Sequence, residues 1–169
     1  MMQTAIKYGL ISSAVLSLFF GASYLLEYYF KFYSSQFIGF SGILLALSCV
    51  YFGIKKAKTK AHQGLLSLTK AIKLGLLISI FPAITFGCIH AVYTNLINPE
   101  FSETYYQEAI KNQQNTLPAT DFKKKRQALQ AQQQAFTNPA FKFFLLSSLV
   151  FSMGFLVSIT AGLFLKQKK

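Results

Sequence analysis

Four stretches of this chain carry no formal charge: Tyr8 to Leu26, Phe37 to Ile54, Leu74 to Pro99 and Phe143 to Leu165. They are 19, 18, 26 and 23 residues long. A helix needs roughly 20 predominantly apolar residues to cross the hydrocarbon core of a bilayer. Lipid offers no partner to an open backbone N–H or C=O, so a segment that spans it is expected to be helical. The pattern therefore predicts an all-α membrane protein with four transmembrane helices in one membrane domain, residues 1–169. The spans are placed at about 8–30, 37–54, 74–97 and 141–165. "GAS" at Gly21–Ser23 could end a cleaved signal segment. The apolar run continues past it through Leu26, longer than such a segment's apolar core of about 7–15 residues, so the first span is expected to be retained.

The charges lie between these stretches. The chain has 17 Lys and Arg against 5 Asp and Glu. Orientation follows the Lys and Arg near span ends. One side holds Lys7, the basic loop of about 55–73 and the tail Lys166, Lys168 and Lys169, without an acid. The other holds Lys31, Lys111, Lys123 to Arg126, Lys142 and all the acids. The run Lys123 to Arg126 is far from either span end and carries little weight. Both termini are then expected in the cytoplasm, with the segment of about 98–138 outside. Lys55, Lys56, Lys58 and Lys60 could meet anionic lipid headgroups, although anchoring the topology is the simpler role. No module that reads nucleic acid accompanies the positive charge.

Small residues recur at every fourth position. The first span has Gly9, Ser13, Ser17 and Gly21; the third has Gly75, Ser79, Ala83, Gly87 and Ala91; the fourth has Gly154, Ser158 and Gly162; the second has Gly42 and Ala46. Such rows let membrane helices approach closely. They predict a compact four-helix bundle, or a homo-oligomer or membrane-protein partner held on the same faces. Pro82 should kink the third span gently. Cys49 and Cys88 would sit roughly 14 Å apart in depth, too far for a disulfide. Both are expected to be free and packed.

Ionisable residues inside a membrane are functional candidates by default. Two qualify, His90 and Glu27. Glu27 adjoins Tyr28, Tyr29 and Phe30, an aromatic belt at the water interface. His90 could pair with Glu27, or stay neutral and bond a carbonyl or Tyr hydroxyl, which is the simpler expectation. No HExxH, P-loop or GxSxG occurs. Two His and two buried Cys are too few for a convincing metal site. No catalytic, cofactor-binding or metal residues are assigned, and an enzyme is not expected.

The extramembrane segment is bracketed by "NPEF" (Asn98–Phe101) and "NPAF" (Asn138–Phe141). Asn favours the N-cap and Pro the first helical position. Asn98 and Pro99 are expected to open a helix that runs to about Asn115. "TLPATD" breaks it, and a second helix covers about 121–136, with Phe122, Leu129 and Phe136 on one seam. Phe101, Tyr105 and Ala109 share a face of the first. The two would pair as an amphipathic hairpin or lie on the membrane. Asn138 and Pro139 then open the fourth span.

Taken together, "GLLSLTKAIKLGLLISI", "LINPEF", the Gln-rich charged segment and "NPAFKFFLLSSLVFSMGFLVSITAGLFLKQKK" resemble the domain-of-unknown-function 4199 family of four-span bacterial membrane proteins. Asn98 stands where that family commonly has Asp, and Leu68 where it commonly has Phe. The resemblance implies four spans and an inner-membrane location, and supplies no activity or cofactor. On these grounds the expected role is that of an accessory or structural membrane subunit acting through helix–helix or partner contacts. A small-solute transporter or channel component is the alternative.

Overall fold

The computed structural model describes residues 1–30, 36–60, 66–114 and 118–165, and these are helical apart from short turns. In chain order the helices are α1 (Met2–Phe30), α2 (Gln36–Lys60), α3 (Leu68–Val92), α4 (Phe101–Gln114), α5 (Ala119–Ala135) and α6 (Pro139–Leu165), with a π-helical turn, Tyr93–Ile97, directly after α3. Among the described residues, four segments are long and apolar enough to cross a membrane: Met2–Leu26, Gly39–Lys60, Leu68–Ile97 and Pro139–Leu165. The chain forms two compact units, one of Met1–Phe86 with Leu146–Lys169 and one of Gly87–Leu145.

The first unit is held by glycines filled from neighbouring helices. A Cβ on Gly75 of α3 would fall on the Ser158 side chain of α6, and a Cβ on Gly154 of α6 would fall on Ser79 of α3. The two contacts are reciprocal. Each helix presents a Gly-x-x-x-Ser pair, and each serine enters the other's glycine notch. Each hydroxyl is also occupied at home. Ser79 Oγ donates to the Gly75 carbonyl at 2.8 Å, and Ser158 Oγ to the Gly154 carbonyl at 2.6 Å. Both serines are fully buried. Bonding within the helix removes the cost of burying a hydroxyl without a partner. The same pairing of notch and filler recurs elsewhere: Phe19 of α1 fills Gly42 of α2, Phe81 of α3 fills Gly9 of α1, and Ile78 of α3 lies over Gly53 of α2. One bond ties α1 to α2 directly, Ser12 Oγ donating to the Ala46 carbonyl at 2.6 Å. Leu16, Leu47, Val50, Ile54, Leu74, Ile78 and Val150 complete the core.

The small-residue row expected on α1 is only half used. Gly9 is buried and Ser13 accepts a 3.0 Å bond from Thr85, but Ser17 and Gly21 are exposed. The buried face runs instead through Ala5, Gly9, Ser12, Leu16 and Phe20. The cause is helix pitch. At 3.6 residues per turn, each step of four rotates about 40°, so three steps carry a row about 120° away from where it began. Alternating steps of three and four hold one face. Phe20 then meets Phe86 edge-on, with ring centroids 5.2 Å apart.

Two boundaries differ from expectation. The basic stretch Lys55–Lys60 is helical and belongs to α2. Lys and Ala are good helix formers, and Ala57 is buried. Lys58 does not project freely. Its Nζ donates to the carbonyl of Leu165, the last residue of α6, at 2.7 Å, a cation on the negative end of a helix. Ser67 opens α3, its Oγ accepting from Lys70 N at 3.4 Å and its carbonyl from Ala71 N at 3.0 Å. Cys49 and Cys88 are both free, but only Cys49 is buried. Cys88 faces outward from its helix, so the expectation that both pack inside holds for one.

The glycine contacts give a paired test. Gly75→Leu places a large side chain where Ser158 sits and should destabilise the purified protein by about 1–3 kcal/mol. Gly21→Leu, with nothing within 4 Å of its position, should leave thermal stability in detergent unchanged. Equal effects would contradict the packing described.

Candidate functional site

The second unit holds a buried cation. Lys142 is only 5 % exposed. Asn138 sets its position. Asn138 Oδ1 accepts from Ala140 N at 3.0 Å and Phe141 N at 3.3 Å, and its carbonyl accepts from Lys142 N at 3.0 Å. Asn138 is thus the cap of α6 and Pro139 its first residue. Lys142 follows one turn later, inside an apolar helix. A cation there faces the positive end of the helix dipole, and a charge inside a span is costly. A specific partner offsets part of that. Lys142 Nζ donates to Thr94 Oγ1 at 3.0 Å, and Thr94 Oγ1 donates to the His90 carbonyl at 2.9 Å. Thr94 and Tyr93 are buried.

The π-helical turn supplies the other half of the site. Asn98 N donates to the Tyr93 carbonyl at 2.8 Å, a bond spanning five residues rather than four. Such turns are rare and concentrate at functional positions. Thr94 and Asn95 both reach back one turn with their side chains, Asn95 Nδ2 donating to the Ala91 carbonyl at 2.7 Å. The Asn98 amide donates to the Tyr93 hydroxyl at 3.5 Å. The expected role of Asn98 as the cap that opens α4 is therefore corrected. Asn98 closes the π-helical turn, Pro99 and Glu100 form a turn, and α4 begins at Phe101 with Thr104 N donating to the Glu100 carbonyl at 2.9 Å. Because α4 starts at Phe101, Glu100 rather than Asn98 stands immediately before it.

His90 lies in this unit, its carbonyl joined to Lys142 through the Thr94 hydroxyl. Glu27, its other expected partner, stands near the end of α1, just beyond the Leu26 limit of the apolar segment. The Glu27 side chain lies outside the described residues. Among the described residues, no group of three or more His, Cys, Asp or Glu could hold a metal ion. The cluster built on Lys142, Thr94, Tyr93, Asn98 and the His90 carbonyl is a hydrogen-bonding one. It fixes a positive charge at the start of an apolar helix. Sequence reasoning counted Lys142 only as a flanking charge. The signal was present in "NPAFK", because a helix opened by Asn138 and Pro139 already contains the fourth residue on.

Beyond the cluster, α4 and α5 pair. Tyr106 is buried, with its ring 6.3 Å from Phe136, which in turn lies 6.2 Å from Phe141 of α6. Phe122, Leu129 and Phe136 are half-buried along the inner face of α5, while Lys123 to Arg126 are exposed. Of the face expected on α4, Ala109 is half-buried, and the side chains of Phe101 and Tyr105 lie outside the described residues.

Four apolar helices of bilayer length mark a multi-pass membrane protein. The family described as "Protein of unknown function (DUF4199)" matches residues 7–167, and the chain belongs to it. No curated protein and no solved structure matches the chain.

Thr94→Val removes the hydroxyl that receives Lys142 and should cost about 1–3 kcal/mol, because a buried donor loses a partner. The double variant Thr94→Val/Lys142→Met should recover most of that loss. Denaturation in mild detergent reads both, and additive losses would contradict the pairing.

Proposed function

We propose that this protein is an accessory or structural subunit of the bacterial cytoplasmic membrane, with both termini cytoplasmic and the α4–α5 hairpin outside, acting through helix or hairpin contacts rather than by catalysis. The observation that carries this is the filling of the helix bundle itself. The inward glycines of the first unit are occupied by side chains of neighbouring helices, and its buried serines are bonded to backbone. Such an interior serves to hold helices together. The chemistry exposed for other molecules lies on the hairpin, whose Lys123 to Arg126 are all exposed. The side of the membrane follows from the Lys and Arg bias of the flanks. On this reading Lys55, Lys56 and Lys60 remain available to anionic headgroups, while Lys58 is engaged at the end of α6. A small-solute transporter or channel component is the second reading, and it takes its support from the buried Lys142–Thr94 pair. Solute flux in proteoliposomes that falls on Lys142→Met tells it apart.

One experiment addresses both location and role. In a background lacking Cys49 and Cys88, Lys124→Cys should react with a membrane-impermeant thiol reagent in intact spheroplasts, and Lys56→Cys should not. A bifunctional form of the reagent at position 124 should then yield a discrete heavier species. Labelling at Lys56→Cys alone would overturn the orientation, and monomer alone would overturn the interaction role.

A further inference from the structure

An open groove of about 810 Å³ runs along the hairpin, lined by residues of α4 and α5. That lies within the roughly 300–1,000 Å³ of small-ligand sites. Its charges are sorted. Glu100 and Glu103 line it at the start of α4, Lys111 lines it in the last turn of α4, and Arg126 joins from α5. The groove takes one cation from each helix, since α5 returns along α4, with Phe136 at its end beside Tyr106. Between the charged ends the walls carry amide side chains, among them Gln107 and Gln130. Gln107 Nε2 donates to Glu103 Oε1 at 3.3 Å, which fixes that carboxylate at the wall.

We infer that this groove binds a short extended peptide with free ends, its amino group at Glu100 and Glu103 and its carboxylate at Lys111 and Arg126. The spacing selects the length. Eight residues separate Glu103 from Lys111, about 12 Å along a helix. An extended chain advances about 3.3–3.6 Å per residue, so three or four residues bridge the two ends. A single amino acid or an ethanolamine phosphate headgroup, with its charges only a few ångströms apart, reaches one end at a time. Amide side chains donate and accept alike, and so can pair with a peptide backbone whatever its side chains. The site would therefore select for chain length and free termini rather than for sequence. Nothing in this depends on which side of the membrane the hairpin occupies.

The test uses the full-length protein in nanodiscs, titrated with tetra-alanine at low ionic strength. Free tetra-alanine should bind, and N-acetylation or C-amidation should each weaken binding about tenfold, the scale of one lost charge-assisted contact. The pair Glu100→Gln/Glu103→Gln should weaken the free peptide to the level of the acetylated one and abolish the further effect of acetylation. The pair Lys111→Gln/Arg126→Gln should do the same for amidation. All four positions are exposed, and an unchanged thermal melt checks that the fold survives. No binding of tetra-alanine, equal binding of free and blocked peptides, or binding of alanine as tight as tetra-alanine would each overturn the proposal.

Discussion

The first unit is built on close helix approach, and the reciprocal notches of α3 and α6 show that constraint most fully. In lipid, the apolar surface of a helix gains nothing by leaving its solvent, because the tails are as apolar as leucine. Association must come from close packing and from bonds that lipid cannot supply. The reciprocal contacts of Gly75 with Ser158 and Gly154 with Ser79 meet both needs. Each glycine removes a side chain from the interface, and each serine fills the notch with a group already bonded to its own helix. Shape complementarity is set by two residues per helix, so the contact tolerates little enlargement.

The polar residues follow the same logic at greater cost. A hydroxyl that bonds the carbonyl one turn back can be buried on any helix face, as Ser79, Ser158 and Thr94 are. An ammonium group cannot, and needs a partner on another element. Lys142 finds it in Thr94, a residue of the π-helical turn. The turn and the buried lysine belong together, although the sequence places them 48 residues apart.

The parts legible in the sequence were those that rest on composition or on a single local bond. The four apolar segments follow from missing charge, and the cap at Asn138 follows from one side chain and the proline after it. The small-residue rows of α3 and α6 also identify faces that do pack. The row on α1 misled beyond Ser13 because a spacing of four drifts around the helix, and no local signal says where the neighbouring helix ends. Asn98 misled for a related reason. The π-helical turn Tyr93–Ile97 has no period of its own in so short a stretch, so nothing in the sequence shows that Asn98 closes that turn and does not open the helix beginning at Phe101. Lys142 was visible as a charge, but its burial depends on Thr94, and no periodicity links the two. The sorted charges of the hairpin groove were equally hidden, because they become neighbours only when α5 folds back on α4.

The direct test of the central claim is disulfide formation within the native membrane. In a chain lacking Cys49 and Cys88, the pair Ala71→Cys of α3 and Gly162→Cys of α6, whose Cβ atoms would lie 3.5 Å apart, within disulfide reach, should oxidise readily within one molecule, read as fragments that stay joined after cleavage in the α4–α5 hairpin. The control pair Ala71→Cys and Leu163→Cys should not, since Leu163 is exposed on α6. Joined fragments for the first pair alone would establish the interlock of α3 and α6. Equal crosslinking of both pairs, or of neither, would contradict it.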